Sequence, residues 1–284
     1  MKTTLVENYP GFADGIQGMD LMGIQAERFG TEVVYDDVTA VKLTGPVKMV
    51  SLGSGEQVQA RTIIFATGSA NRKLGLADET RLSGYGVSWC ATCDGFFFRG
   101  QTVAVVGGGD SALEEATFLS RFADTVHLIH RGETLCASQV MQDRAAADPK
   151  IVLHLHSRVE HIHDAEHVTG ITITDTLDGD SQELPLQGLF VAIESDPRTH
   201  LVHGQLAFTE HGTIEVEHPS SRTEIAGVFA AGDVVDAHYR QAVTAAASGT
   251  IAAHDAEEYL AALNDPQTRA QPNLTRATAG SAGA

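Results

Sequence analysis

Residues 88–118 read SWCATCDGFFFRGQTVAVVGGGDSALEEATF, and this stretch places two chemical signals side by side. The first is a pair of cysteines, Cys90 and Cys93, which are separated by two residues and followed by Asp94. The second is the apolar run TVAVV, which enters a glycine-rich turn and then the helical pattern SALEEATFL. A strand, a tight glycine turn and a helix in this order predict part of a doubly wound α/β domain.

The glycine turn GGGDSA predicts a dinucleotide-binding site, because it fits the pattern G-x-G-x-x-A between a strand and a helix. Gly107 permits the tight turn, Gly109 lets a pyrophosphate approach the backbone, and Ala112 lets the helix pack closely on the strand. Asp110 and Ser111 open the helix, whose N-terminus favours phosphate. The alternative interpretation is a plain turn between a strand and a helix.

The second strand of this unit, TVHLI, ends at His130 and Arg131. An acidic residue at this point usually binds the free ribose hydroxyl of NAD, whereas arginine accommodates the additional phosphate of NADP. His130 and Arg131 therefore favour NADPH, although Glu133 lies close by and favours the other nucleotide.

The two cysteines are either a redox pair or half of a metal site, because the chain shows no secretory signal and no disulfide framework. A zinc site needs further ligands at similar spacing, and the histidines of 154–167 follow the alternation of a strand. Asp94 is interpreted either as an acid–base group for the thiols or as a helix cap. Cys136 is interpreted as a lone thiol.

Composition limits the class of protein. The chain has 284 residues and a formal net charge of −18, which disfavours nucleic acids and anionic membranes as partners. We find no apolar run long enough for a membrane span and no apolar signal segment, so we expect a cytoplasmic protein.

The order of elements predicts one domain inserted into another. Strand patterns at 31–45, 47–55 and 56–69 follow a helical pattern at 19–30, and a late strand and helix follow the nucleotide-binding unit. We expect residues 1–70 and 201–264 to form one domain and residues 71–200 the inserted one. Residues 265–284 are predicted to be a disordered tail.

These motifs together resemble the bacterial-type, low-molecular-weight thioredoxin reductases. The resemblance rests on WCATCDGFFFRGQTVAVVGGGDSALEEATFL, LIHR, GLFVAI and GVFAAGDVVDAHYRQAVTAAASG, and on VENYPGF, LMGIQAERFG and TIIFATGS in the same order. It extends over nearly all of residues 4–262.

The resemblance implies an α/β homodimer with two Rossmann-like domains, an NADPH domain inserted into a split FAD domain. Electrons would pass from NADPH through FAD to the disulfide of Cys90 and Cys93, and on to thioredoxin. Cys93 would be the sulfur nearer the flavin, Asp94 the acid–base group, and the domain that carries the dithiol would rotate between two positions. The resemblance assigns FAD contacts to Asn8, Thr67, Gly68, Gly232, Asp233, Arg240, Gln241 and Ala242.

Three departures from the family modify these expectations. The chain begins at MKTTLVENYPG, after the family's first strand, glycine turn and helix, so we expect the FAD domain to lack that βαβ unit. Gly132 and Cys136 stand where the family has further arginines, so we expect a weaker preference for NADPH over NADH. Glu194 stands where the family usually has glycine, close to the expected nicotinamide site.

Three functional hypotheses follow. The first is an NADPH-dependent thioredoxin-disulfide reductase. The second is a truncated, non-catalytic relic or the product of a misplaced start codon. The third is a disulfide reductase of the same superfamily with another partner, such as a peroxiredoxin.

Overall fold

The computed structural model describes residues 5–6, 8–12, 16–17 and 20–265. The chain divides into two compact units. The inserted unit comprises residues 70–196 together with the described residues among the first 18, and the split unit comprises residues 19–69 and the chain from Pro197 onward. The predicted disordered tail lies outside the described residues except for Asp265.

The helices and strands are numbered in chain order. The strands are β1 Leu5–Val6, β2 Ile16–Gln17, β3 Val38–Lys42, β4 Lys48–Leu52, β5 Gln57–Ala60, β6 Ile63–Phe65, β7 Ser69–Asn71, β8 Val87–Ser88, β9 Thr102–Val106, β10 Thr125–Ile129, β11 Ile151–His154, β12 Ser157–Asp164, β13 Val168–Asp175, β14 Ser181–Pro185, β15 Gly188–Val191, β16 Ser195–Pro197 and β17 Val228–Ala230. The helices are α1 Asp20–Arg28, α2 Ala91–Asp94, α3 Asp110–Leu119, α4 Gln139–Ala147 and α5 Ala242–Asn264. No helix among the described residues is both long and apolar enough to cross a membrane.

The inserted unit is built on a five-stranded parallel sheet in the order β11-β10-β9-β15-β8. The chain winds from β9 through α3 to β10, and through α4 to β11, on one side of β9. It then returns to place β15 on the other side of β9. The winding direction therefore changes between β9 and β15, the point at which doubly wound sheets bind ligands.

The two faces of this sheet carry separate apolar cores because successive side chains of a strand point to opposite sides. Val103 and Val105 of β9 pack with α3 through Leu113, Ala116 and other side chains. Ala104 and Val106 face the antiparallel sheet β12-β13-β14, which contributes Val159, Ile162, Ile171, Ile173 and Leu184. The fully buried strand VAVV explains the continuous apolar run in the sequence.

The split unit contains the parallel pair β6–β17 and the antiparallel sheet β3-β4-β5. Val228 and Ala230 of β17 lie in a core with Phe65 of β6. Phe229 points to the other side and packs with Ala252 and Ala256 of α5. This alternation fixes α5 against one face of the β6–β17 pair.

Several predicted strands are shorter or divided. The pattern at 31–45 forms a strand only at β3, and residues 31–37 are irregular and exposed. No other strand of the described residues pairs with them, and an unpaired strand gains too little to persist. The alternating residues at 150–163 have the pattern of one strand, but the strand breaks at His156, whose φ is 49°, so that β11 and β12 belong to different sheets. The apolar run at 184–194 also has the pattern of one strand, and it is divided between β14 and β15.

Two histidines form a half-buried pair between neighbouring strands of the parallel sheet. His127 Nδ1 of β10 lies 2.9 Å from His154 Nε2 of β11. Burial lowers the pKa of both imidazoles below the usual 6.5, and the charge of His154 further lowers the pKa of His127. The folded state therefore resists protonation that the unfolded chain accepts.

We expect the free energy of unfolding of the inserted unit to fall as the pH drops from about 7 to about 5, by up to about 1.4 kcal/mol per pH unit for each imidazole. As the pH falls through the pKa of an unfolded histidine, the unfolded chain binds protons at these two imidazoles that the folded protein does not bind. Urea unfolding followed by the fluorescence of Trp89, the single tryptophan, measures this. The His127→Gln/His154→Gln variant should lose this part of the pH dependence of the free energy of unfolding. An unchanged pH dependence in that variant would show that the histidine pair is not its cause.

Candidate functional site

The predicted dithiol is present as a disulfide between Cys90 and Cys93, whose Cα atoms lie 5.3 Å apart. Cys90 precedes the four-residue helix α2, and its carbonyl accepts hydrogen bonds from the N–H groups of Cys93 and Asp94. Both cysteines are partly exposed. This short turn brings the two sulfurs together and leaves them accessible to a reaction partner.

Asp94 does not cap a helix, so the capping interpretation is wrong. It immediately precedes a short 3₁₀ turn at Gly95–Phe98 but makes no side-chain capping hydrogen bond there. Its Oδ2 instead accepts a hydrogen bond of 2.6 Å from the hydroxyl of Ser88. The carboxyl group of the residue that follows Cys93 is thus held by a side chain from the end of β8.

The surroundings of the disulfide include an amide and an exposed aromatic surface. Asn8 Nδ2 lies 3.9 Å from Cys93 Sγ. Phe96 and Phe97, which follow Asp94 after one glycine, are 61% and 56% exposed. The guanidinium of Arg99 lies 5.1 Å from the ring centre of Phe96. Large exposed aromatic side chains beside a reactive group are typical of an interaction surface.

The glycine turn between β9 and α3 is closed to a side chain at Gly107 and open at Gly109. A Cβ at Gly107 would lie 2.4 Å from the carbonyl oxygen of Ala192 and 2.6 Å from Cβ of Ala112, so the turn has no room for a side chain there. A Cβ at Gly109 would meet no atom within 4 Å. The backbone is therefore open at Gly109, directly before the first residue of α3, where a pyrophosphate would need access.

The loop after β10 packs against this turn. The ring of His130 occupies the space above Gly108, and its Nε2 contacts the carbonyl oxygen of Thr134 at 3.0 Å. Asp110 Oδ1 accepts two hydrogen bonds from Ser138, from the backbone N–H at 2.8 Å and from the hydroxyl at 2.9 Å. Asp110 and His130 thus hold the loop in place.

Three other side chains of this region are exposed. Ser111 is exposed on the first turn of α3, and the thiol of Cys136 is free and exposed. Arg131 is exposed and, within the part of the chain that the structure describes, makes no ion pair. Its guanidinium is therefore available to a phosphate at the end of β10.

Strand order explains why the dithiol and the glycine turn are close in sequence. Parallel strands end at the same edge of a sheet, and β9 and β8 are separated there by β15 alone. The end of β9 leads into Gly107, and the end of β8 leads into Cys90. The dithiol and the nucleotide turn therefore share one edge of the inserted unit.

Glu194 follows β15 at this same edge. Its φ is 78°, a conformation that favours glycine. Its carboxylate pairs with Arg72, which also binds Asp196 at 2.8 Å. Both contacts raise the pKa of Arg72, and the contact with Asp196 has the larger effect. The carboxylate of Glu194 is thus paired with the guanidinium of Arg72.

The split unit contains an open cleft of about 420 Å³. It is lined by Asp36, Asp37, Val38, Thr67, Arg198, His200 and Leu201. Thr67 donates a hydrogen bond of 2.8 Å to the carbonyl of Arg198, and hydrogen bonds from Ser54 hold the pKa of Asp36 below its usual value. Gly68 has a φ of 69° and open space at its Cβ position, so a ligand can approach this backbone.

The other predicted residues of the split unit lie around the start of α5. Asp233 follows β17, and burial together with the charge of Asp236 raises its pKa. Gly232, with a φ of 77°, donates its N–H to Ser248 at 2.9 Å. The carboxyl group of Asp233 accepts a hydrogen bond of 3.4 Å from Ser69.

Asp236 organises the turn that leads into α5. Its carboxylate accepts hydrogen bonds from the backbone N–H groups of His238, Tyr239 and Arg240. Burial acts to raise the pKa of Asp236, but these hydrogen bonds outweigh it and the pKa lies below its usual value. Gln241 and Thr244 form a capping box at the helix, which begins at Ala242.

Sequence reasoning missed Ser88 and Asp36 as parts of these sites. Ser88 is 4% exposed and contacts both ends of the dithiol segment. A serine two residues before a Cys-x-x-Cys-Asp motif carries no recognised signal, because its role depends on the path of the chain after β8. Among the described residues, no group of three or more potential ligands could hold a metal ion.

Comparison with known proteins places these features in a family. A family model described as pyridine nucleotide-disulphide oxidoreductase matches residues 2–249. A thioredoxin reductase from Streptomyces clavuligerus is 56% identical over 275 residues, which cover 96% of this chain and 85% of the relative. One from Streptomyces coelicolor is 54% identical, with 97% and 86% covered.

A solved structure of thioredoxin reductase from Streptococcus pyogenes superimposes with a TM-score of 0.84 at 37% identity, and covers 92% of this chain and 85% of its own. The thioredoxin reductase of Giardia duodenalis gives the same TM-score at 38% identity, with 91% and 85% covered. These similarities confirm the predicted α/β fold class.

Proposed function

Because the chain belongs to the pyridine nucleotide-disulphide oxidoreductase family, we propose that it is a thioredoxin reductase that carries electrons from NADPH through FAD to the Cys90–Cys93 disulfide and on to thioredoxin. The observation that carries this proposal is the disulfide itself, which lies partly exposed at the sheet edge that also bears the glycine turn. The low-molecular-weight, bacterial type of enzyme fits the relatives named above.

Residues of both units support the binding of cofactors. In the inserted unit, the open backbone at Gly109 and the first turn of α3 would hold the pyrophosphate of NADPH, and the free guanidinium of Arg131 its additional phosphate. In the split unit, the cleft beside Thr67 and Gly68 supports FAD binding. Asp233 and the start of α5 would supply a carboxylate and a helix N-terminus. FAD, when bound, accepts a hydride from NADPH and passes an electron pair to a disulfide.

The chain's own residues manage the thiols and protons. Reduction of the disulfide by an electron pair breaks the S–S bond and requires two protons for two thiols. One thiolate then attacks the disulfide of thioredoxin and forms a mixed disulfide. The second cysteine attacks this mixed disulfide, which releases reduced thioredoxin and restores the Cys90–Cys93 bond. Asp94, directly after Cys93, exchanges protons with these sulfurs. Asn8 supplies an amide N–H beside Cys93.

The aromatic surface of Phe96 and Phe97 supports a protein as the electron acceptor. We expect Phe97→Ala to raise the KM for thioredoxin by about 10-fold, because exposed aromatic side chains often dominate binding energy at interfaces. The rate with a small disulfide reagent should not change. Steady-state kinetics with both acceptors test this expectation.

Leu177→Ala is the matched control for that variant, since Leu177 is 75% exposed but lies in the turn between β13 and β14. Its KM for thioredoxin should match that of the unaltered protein. Equal effects of both variants, or none from Phe97→Ala, would show that thioredoxin binds elsewhere.

The test of the proposed function is NADPH oxidation by FAD-saturated protein with oxidised thioredoxin as the acceptor. Oxidation that depends on both the protein and thioredoxin is the expected result. A parallel reaction with an oxidised peroxiredoxin examines the alternative partner. If neither thioredoxin nor peroxiredoxin supports NADPH oxidation by the FAD-saturated protein, the proposal is wrong.

We further propose that the protein is a cytoplasmic homodimer. The family resemblance supports the dimer, and a cysteine pair that is reduced in each cycle supports a reducing compartment. Sedimentation equilibrium of the FAD-loaded protein measures the oligomeric state.

A further inference from the structure

Ser88 is a buried hydroxyl within the dithiol segment, and no part of the catalytic scheme above uses it. It ends strand β8 and is 4% exposed. Its Oγ lies 3.1 Å from the backbone nitrogen of Cys90 and 2.6 Å from Oδ2 of Asp94. One side chain therefore contacts both the first cysteine and the carboxylate that follows the second.

The direction of the hydrogen bonds follows from the groups involved. The N–H of Cys90 can only donate, so Ser88 Oγ accepts from it. The single hydroxyl hydrogen then has two possible acceptors, the carboxylate of Asp94 at 2.6 Å and the carbonyl of Cys90 at 3.4 Å. The shorter contact has the length of a charge-assisted bond to an ionised oxygen. Ser88 thus links the Cys90 backbone to the Asp94 carboxylate in one polarised chain.

This link matters because little else in the local structure fixes the Asp94 side chain. Helix α2 has only four residues, and the backbone bond from Asp94 N to Cys90 O restrains the main chain but not the carboxyl group. Strand β8, by contrast, pairs with β15 as the outermost strand of the parallel sheet. Ser88 therefore ties the Asp94 carboxylate to the end of a strand that the sheet holds in place.

We propose that Ser88 is a positioning residue for the redox pair, and that its hydroxyl holds the Asp94 carboxylate where it takes the proton of the attacking thiol. The inference rests on the proposed function of the dithiol. Ser88 does not itself contact the substrate in this proposal, because it acts through Asp94.

The reaction that isolates this role needs neither flavin nor thioredoxin. All variants carry Cys136→Ser, because the exposed free thiol of Cys136 would also react. Each protein is reduced with dithiothreitol, freed of it and mixed with dithiobis(nitrobenzoate), an aromatic disulfide. One protein thiol loses its proton and attacks, one reagent S–S bond breaks, and one thionitrobenzoate leaves. The second thiol then displaces a second thionitrobenzoate and restores the Cys90–Cys93 disulfide, so two thiol protons are lost in total.

The matched variants are Ser88→Thr and Ser88→Val, which have nearly the same shape but differ in the hydroxyl. We expect Ser88→Val to react about 10-fold more slowly, as befits the loss of a hydrogen bond to a charged group, and Ser88→Thr to stay within about two-fold of the unaltered protein. Ser88→Ala, which adds no volume to the buried site, should behave as Ser88→Val does. Equal rates for the Thr and Val variants would overturn the proposal.

A double-mutant cycle separates positioning from a merely structural effect. In an Asp94→Asn background, Ser88→Val should slow the reaction by less than about two-fold, because the group it acts through has already lost its charge. Effects of the two substitutions that multiply would overturn the proposal. A protein that fails to reduce thioredoxin but shows this coupling would contradict the proposed function and leave the role of Ser88 intact.

Discussion

Replacement of either Cys90 or Cys93 by serine is expected to lower thioredoxin reduction by more than about 1000-fold, the scale seen when one member of a cooperating catalytic group is removed. The physical reason is that the dithiol takes up an electron pair by breaking one S–S bond and gives it up by forming that bond again, and a serine hydroxyl cannot form it. A single remaining cysteine can form a mixed disulfide with a substrate, but it has no neighbour to displace the product.

The same two variants should still support reduction of bound FAD by NADPH, followed as loss of flavin absorbance, within about two-fold of the normal rate. This difference separates the dithiol step from the nucleotide step. Cys136→Ser is the matched control, because it makes the same substitution at an exposed free cysteine. Thioredoxin reduction by a variant with only one cysteine of the pair, at more than a small fraction of the normal rate, would contradict the proposed route.

Two neighbouring glycines of the nucleotide turn should respond differently to an added side chain. Gly109→Val is expected to raise the Kd for NADPH by about 10-fold or more, with little change in stability, because charge-assisted bonds from the turn to phosphate need close backbone approach. A Cβ at Gly109 meets no atom within 4 Å, and its φ of −91° suits any residue. The folded protein therefore has room for the valine side chain, but this side chain prevents the pyrophosphate from approaching the backbone.

Gly107→Ala should instead lower the free energy of unfolding, by about 1–3 kcal/mol, as overpacking of a close-packed site does. Its Cβ would lie 2.4 Å from the carbonyl oxygen of Ala192, which belongs to the backbone after β15 and cannot turn aside. Calorimetric titration with NADPH and urea unfolding followed by Trp89 distinguish the two variants. If Gly109→Val destabilises the protein as much as Gly107→Ala, or binds NADPH normally, this account of the turn is wrong.

Much of the inserted unit was predictable because its signals are local. The run TVAVV, the glycine turn and the helix after it form β9 and α3 as expected, and TVHLI forms β10. A buried parallel strand has a continuous apolar run as its sequence pattern, and glycines are typical of the tight turn between such a strand and the helix after it. The assignment of Asn8, Thr67, Gly232 and Arg240 to FAD stays a prediction.

Strand partners were not predictable in the same way. The alternation in 150–163 suits β11 and β12 equally well, and it does not reveal that His156 divides them between two sheets. The apolar residues of 31–37 have strand character, but the residues that the structure describes offer them no partner. Periodicity reports which side chains favour burial, and only the neighbouring strand decides whether a strand forms.

The sequence alone determined the chemistry of this protein: a dithiol with an adjacent carboxylate, and a glycine turn that suits a dinucleotide. Both depend on residues a few positions apart, where covalent geometry fixes the spacing. The tertiary structure decided that β8 and β9 end at one sheet edge, and that the buried hydroxyl of Ser88 joins Cys90 to Asp94. Such contacts depend on strand order and on close packing, which no local pattern records.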